Sequence, residues 1–237
     1  MRIDKLLANS GYGSRKEVKQ LLKKGQVIVN GVEIKQPKEH VNPTHDVVDV
    51  LGERLHYQEF VYFMLNKPPG VVSATEDMRD ETVIDLLELT DQVRAPFPVG
   101  RLDKDTEGLL LLTNDGKLAH KLLSPKKDVG KRYYANVKGQ VTEKDIVAFK
   151  QGVTLDDGYH TKSAELTILE SGESSEIELV ISEGKFHQVK RMFEAVGKQV
   201  VYLKRLKMGE LTLDPSLELG EYRELTEEEL TYLQELK

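Results

Sequence analysis

Four consecutive leucines, Leu109 to Leu112, stand between Gly108 and the turn sequence Asn114-Asp115-Gly116. A short apolar run bounded by turn residues reads as a strand buried on both faces. The charged stretch that feeds it, Arg101-Leu102-Asp103-Lys104-Asp105-Thr106-Glu107, is then a loop hung on a rigid support. With 237 residues, 39% of them hydrophobic, the chain can fill a substantial core as one large domain or as a small and a medium one.

The first forty residues read as a compact module of helices and a hairpin. Ser14-Arg15-Lys16-Glu17 is a capping box, so a helix starts there. Val18, Leu21 and Leu22 fall on one face, Gly25 is a left-handed cap, and Arg15, Lys16, Lys19 and Lys23 occupy the other face. In the sequence that follows, Val27 and Val29 alternate with polar neighbours. Asn30-Gly31 supplies the positive φ angles of a tight turn, and Val32 and Ile34 resume the alternation, which predicts a β-hairpin. A further strand is predicted over 45–52, and the polar stretch from Arg54 to Glu59 is the natural linker, with a boundary at 58.

Beyond residue 58 short strands and helices mix without regular alternation, which predicts an α+β domain over 59–237. Strands are expected at 59–66, 109–112, 131–139 and 174–184. Helices are expected at 82–89, 117–123, 142–152 and 186–197, the last burying Val189, Met192, Phe193 and Val196. Thr226 to Glu229 is another capping box, opening an acidic helix at the end of the sequence, with Leu225 and Leu230 as its staple.

The chain has no cysteine, which excludes disulfides and thiolate metal sites and agrees with a reducing, cytoplasmic setting. The opening MRIDKLL is charged where a signal peptide is apolar, and no stretch is long enough to cross a bilayer, so no membrane association is expected. Proline at 43 voids the sequon at Asn42. The net charge of −6 is unevenly spread. Residues 210–237 hold nine acids and two bases, whereas residues 1–38 hold nine bases and three acids, and 183–208 seven bases and two acids. Two basic stretches far apart in sequence point toward a polyanion.

The zinc-protease HExxH, the GxSxG elbow, the phosphate loop and the dinucleotide fingerprint are all absent, and the six histidines show no metal-ligand spacing. What is left is a loop carboxylate, an aromatic and basic strand, and a basic helix start. No cofactor and no metal are expected.

These pieces resemble a known family. GRLDKDTEGLLLLTND at 100–115 is similar to the signature of pseudouridine synthases of the small-subunit (16S) ribosomal RNA type, the RsuA-like enzymes. LNKPPGVV at 65–72, GKRYYANV at 130–137, ISEGKFHQVKRMFEAVG at 181–197 and LGEYRELTEEE at 219–229 resemble family segments in the family's order. The opening DKLLANSGYGSR with VIVNG resembles an S4 RNA-binding domain. The resemblance implies a small αββ-type S4 module followed by a mixed, mainly antiparallel sheet with flanking helices, acting as a monomer on ribosomal RNA, within a partly assembled small subunit.

Its implications for single residues are as follows. Asp103 is the catalytic carboxylate, suited to an electron-poor ribose as stabiliser, nucleophile or base, a choice that the sequence leaves open. Tyr133 lies against the target base and takes part in proton removal from its carbon, while Tyr134 faces the other side of the strand. Lys190, at a position where arginine is frequent, pairs with Asp103 and keeps it ionised. Arg191 shares that task or binds phosphate. Arg101 fills the gap left by a flipped nucleotide, against the rival expectation that it only pairs with local acids. Arg15, Lys16, Lys19 and Lys23 meet RNA phosphates. His187 is read as structural, and Asp105 and Glu107 as surface acids. Two competitors stand beside this reading: a large-subunit (23S) enzyme and a noncatalytic S4-type assembly factor.

Overall fold

The computed structural model describes residues 1–43, 45–55, 57–124 and 127–235. By its internal contacts the chain divides into two units, 1–61 with 87–96 and 62–86 with 97–237.

In the first unit, helices α1 (Ile3–Asn9) and α2 (Arg15–Lys23) lie with a four-stranded sheet of β1 (Val27–Val29), β2 (Val32–Glu33), β3 (Val48–Val50) and β4 (Glu53–Arg54). The predicted local signals are all present. The Glu17 carboxylate accepts the Ser14 N–H at 2.7 Å while the Ser14 hydroxyl oxygen accepts the Glu17 N–H. Gly25 has φ +69°, and Asn30 and Gly31 have φ 51° and 81° at the hairpin turn. Ile3, Leu6, Leu7, Val18, Leu22, Val27 and Val50 are fully buried between helices and sheet. The linker stretch belongs to this unit, where Arg94, from the returning segment, donates to the Gln58 carbonyl.

The segment 82–89 is not the expected helix. The Asp85 carboxylate accepts both the N–H and the hydroxyl of Thr82, and Thr82 bridges to Val72. A Thr-Asp turn of this kind offers the backbone an alternative to helix, and only a four-residue helix, α3 (Leu89–Gln92), forms beyond it.

The second unit is built on a mixed sheet, nine-stranded among the described residues. In chain order its elements are β5 (Tyr62–Lys67), β6 (Phe97–Pro98), β7 (Glu107–Thr113), α4 (Gly116–Leu123), β8 (Lys131–Lys138), α5 (Glu143–Gln151), β9 (Glu165–Glu170), β10 (Ser174–Ile181), α6 (Gln188–Ala195), β11 (Gln199–Met208), β12 (Leu211–Thr212), β13 (Tyr222–Glu224) and α7 (Glu227–Glu235). The strand order is β13-β5-β7-β11-β8-β10-β9, with β12 on β11 and β6 on β7. The pairing of β7 with β11 is parallel and the other pairs are antiparallel. All four leucines of β7 are fully buried. Leu109 and Leu111 share a cluster with Leu118 and Leu122 of α4 and Leu233 of α7. Of the four apolar residues expected to be buried by α6, Val189, Met192 and Phe193 are, and Val196 is half-buried.

β9 and the short β6, β12 and β13 are not expected from the sequence, and neither is β11, the longest strand of the sheet. It lies between β7 and β8, yet its register slips at Val200/Tyr202 and again at Arg205/Lys207. Two bulges break the period-2 alternation that marks a strand in sequence.

Candidate active site

One row of the sheet carries the supports of the site. Lys67 of β5 faces Gly108 of β7, Gly108 faces Arg205 of β11, and Arg205 faces Tyr133 of β8. The loop 100–106 leads into this row, so Asp103 stands near its β7 end. Tyr133 is two strands from Gly108, roughly 10 Å at the usual spacing of strands.

Gly108 is required where the row is tightest. Its φ is +100°, and a Cβ there would lie 2.3 Å from the Arg205 carbonyl oxygen and 2.8 Å from the Arg205 nitrogen. The two backbones meet at that point because no side chain separates them.

The loop itself is fastened from below. The Lys67 ammonium donates to the carbonyls of Pro68 at 2.9 Å, Thr106 at 3.0 Å and Lys104 at 3.3 Å. The Ser73 hydroxyl donates to the Leu102 carbonyl and accepts the Leu102 N–H, and the Gly70 N–H donates to the Lys104 carbonyl at 2.7 Å. Lys67 has no exposed surface. Burial pushes its ammonium down to about 8, against the pull of Asp105, Asp103 and Glu107. Within LNKPPGVV the sequence pattern gives this lysine no role of its own. The available signal was a cation at the end of an apolar strand, directly before two prolines.

Asp103 opens into a pocket of about 430 Å³, with Pro69, Gly70, Lys104, Asp105, His187 and Lys190 around it. The Lys190 ammonium, one turn into α6, lies 3.3 Å from one Asp103 oxygen and 2.6 Å from an Asp105 oxygen. The Asp103 and Lys190 side chains are 25% and 19% exposed, while Asp105 is 73% exposed. At Asp105 burial works to raise the carboxyl, but the hydrogen bond and charge of Lys190 prevail and hold it below the usual carboxylate range. His187 Nε2 lies 3.8 Å from the other Asp103 oxygen.

The remaining expected residues are distributed as follows. Tyr133 is 8% exposed, its hydroxyl has no hydrogen-bond partner among the described residues, and it does not line the pocket around Asp103. Tyr134 faces the opposite side of the sheet, where it packs edge-on against Tyr202. Glu107 accepts the Tyr202 hydroxyl at 2.7 Å, which together with burial raises that phenol above its ordinary range. Arg101 is exposed and pairs with no acid among the described residues. Arg191 is held by Asp156 and Asp157 and does not line the pocket. Arg15, Lys16, Lys19 and Lys23 are all exposed on α2.

A cleft carboxylate braced by a lysine, beside a sheet whose Tyr133 phenol has no hydrogen-bond partner among the described residues, on a chain that opens with a small basic module, defines a class. A family model described as RNA pseudouridylate synthase matches residues 61–195, and an S4 domain model matches residues 1–48. The chain belongs to the RNA pseudouridylate synthase family and is an RNA pseudouridine synthase. It is 58% identical to an uncharacterised RNA pseudouridine synthase, YtzG, of Bacillus subtilis strain 168, over 99% of both chains. It is 40% identical to ribosomal small subunit pseudouridine synthase A of Vibrio cholerae, over 97% of this chain and 98% of that one. It is 39% identical to ribosomal large subunit pseudouridine synthase B of Bacillus subtilis, over 99% and 96%. A crystal structure of a pseudouridylate synthase matches over the whole of both chains, with a TM-score of 0.69 and 36% identity. No helix among the described residues is long and apolar enough to cross a membrane.

Proposed function

We propose that this synthase isomerises one uridine of 16S ribosomal RNA, with Asp103 as the catalytic carboxylate, Lys190 as its counter-ion and Tyr133 against the base. The observation that carries the reading is the ion pair of Lys190 and Asp103, 3.3 Å apart at the mouth of an open pocket. In the isomerisation the bond from uracil N1 to the ribose breaks, a bond from C5 to the same ribose carbon forms, the C5 proton leaves to solvent, and N1 takes up a proton in its place. No electron enters or leaves. A fixed anion stabilises the electron-poor ribose between the two bonds, and the adjacent ammonium favours the charged form of that anion.

Arg101, exposed and without an acid partner among the described residues, is placed to occupy the position of the extruded base. The cations of α2 hold phosphates. Arg191 has two carboxylates of its own and is left out of the contact. The choice of 16S RNA is supported by the segments 187–197 and 219–229 and by the Vibrio cholerae relative. A large-subunit target is the second reading, because the large-subunit relative is as similar, at 39% identity over 99% of this chain.

The test uses transcribed 16S and 23S RNA labelled with tritium at uridine C5. Release of tritium from 16S RNA at a single mapped position, abolished by Asp103→Asn while RNA binding persists, is expected. Release from 23S RNA alone replaces the target. Full activity of Asp103→Asn, or no release from either RNA by folded enzyme, overturns the reading.

A further inference from the structure

Beside the Asp103 pocket one aromatic ring is left in water. Phe186 is 76% exposed, and its ring lies flat against the His187 imidazole, with centroids 3.8 Å apart and planes 17° from parallel. An aromatic ring contributes most to stability when buried, yet one face of this ring is given to solvent.

The backbone beneath the pair is fixed. Gln188 is buried, accepts the Lys185 N–H at 2.8 Å and donates to Glu183 at 2.8 Å. Glu183 also accepts the Tyr159 hydroxyl at 2.7 Å and the Lys162 N–H at 2.9 Å. His187 is held at φ 48°, ψ 33°, a left-handed conformation uncommon for a residue with a Cβ. A strained residue beside a reactive group, kept in place by a buried network, is the pattern of a preorganised site.

We propose that the Phe186 and His187 stack is a nucleotide-binding subsite, which takes the unpaired base adjacent to the target uridine. This rests on the reading of Asp103 as the catalytic carboxylate. Flipping a nucleotide out of a strand unstacks its neighbour, and the neighbour regains a partner on the open face of Phe186. His187 in turn is 3.8 Å from the Asp103 carboxylate. Aromatic faces accept any base, so the subsite holds the strand without reading its sequence.

The experiment measures binding and turnover of transcribed 16S and 23S RNA by the full-length protein carrying Phe186→Ala, Phe186→Leu or Phe186→Trp. Removing the ring raises the half-saturating RNA concentration about tenfold, in the range of a lost base stack. The loss falls on that concentration rather than on the saturated rate. It is the same at low and high salt, because stacking releases no counterions. Phe186→Leu behaves like Phe186→Ala, and Phe186→Trp restores binding. Wild-type binding by Phe186→Leu, a loss confined to the saturated rate, or a loss that fades with salt overturns the proposal. Retention of the RNA is also compared between Asp103→Asn and the double variant with Phe186→Ala. The subsite is thereby tested even where turnover is absent, whereas a wild-type protein that binds both RNAs and isomerises neither refutes only the catalytic reading.

Discussion

Replacing Lys67 with Met removes the ammonium that ties Pro68, Lys104 and Thr106 together and leaves a side chain of similar length in the same buried space. Two opposing effects set the outcome. The two shorter hydrogen bonds, each from a charged donor, contribute about 1.5–3 kcal/mol apiece. Against them, a fall of the ammonium from its ordinary 10.5 to about 8 corresponds to a cost of at most roughly 3 kcal/mol for keeping it charged at neutral pH. The net change in stability at pH 7 is therefore small, within about 3 kcal/mol, while the loop that displays Asp103 loses its fastening.

The pH dependence of the same substitution has a definite sign. Below about pH 8 the lysine is protonated in the folded and unfolded chains alike, and the full cost of burial is present. Between about 8 and 10.5 the unfolded chain holds the proton more often than the folded one, so this group adds stability as pH rises. Urea unfolding of wild type and Lys67→Met at pH 7, 8, 9 and 10 measures the difference. Wild type gains on the variant by up to roughly 3 kcal/mol across that window, and tritium release by the variant falls about tenfold or more, on the order of 1.4 kcal/mol of barrier. Parallel stability curves, or turnover within twofold of wild type, would refute the reasoning.

Gly108→Ala places a Cβ 2.3 Å from the Arg205 carbonyl at a φ of +100°, and the parallel pairing of β7 and β11 must open to admit it. A loss of about 3 kcal/mol or more, seen as a lowered thermal midpoint, is expected; an unchanged midpoint would show that the two backbones can separate freely. Lys198→Met strands the Asp145 carboxylate, whose side chain is 7% exposed and 2.8 Å from the ammonium. Burial raises this carboxyl, but Lys198 and the hydrogen bonds of Thr142 outweigh it and hold the group below its ordinary 3.8. The stability so gained is present above that ordinary value and lost as pH falls through the lower folded one. Removing the lysine costs about 3–5 kcal/mol and moves acid unfolding to higher pH, and an unmoved acid midpoint would show that the pair contributes nothing.

The parts of the fold that were legible in the sequence are those fixed by neighbours along the chain. The Ser14 box, the Asn30-Gly31 turn and the buried leucines of β7 each follow from a few adjacent residues. The pairing of Lys190 with Asp103 came from family resemblance, and the structure brings the two together. What stayed hidden depends on partners distant in sequence. The alternation of β11 is broken by two bulges that only its neighbours reveal. The apolar residues of 82–89 satisfy a helical pattern, yet the bonds from Thr82 to Asp85 end it. Lys67 is important because carbonyls some forty residues later turn toward it. His187, read as structural, lies beside Asp103 because α6 starts there with a left-handed residue.

Charge is where sequence and structure differ most in consequence. The basic stretch 183–208 is not an open basic surface. Lys190 faces Asp103 and Asp105, Arg191 faces Asp156 and Asp157, Lys198 faces Asp145, and Lys207 faces Glu210. Arg205 is buried and donates to the Leu109 carbonyl. Lys190, Arg191, Lys198 and Lys207 thus already have carboxylate partners, and of these four only Lys190 lines the Asp103 pocket. The exposed cations of α2 pair with no acid among the described residues, so on the proposed reading they supply the attraction for phosphate. Each phosphate neutralised contributes about 0.7–0.9 to the slope of log affinity against log salt. Replacing Lys16 and Lys19 by Ala should therefore reduce that slope by about 1.4–1.8, equally for 16S and 23S transcripts, and leave the saturated rate of tritium release in place. Lys207→Ala should leave the slope where it was. If instead the α2 substitutions leave it unchanged and Lys207→Ala lowers it, the phosphate contacts lie in the second unit and its ion-paired cations exchange their carboxylates for RNA.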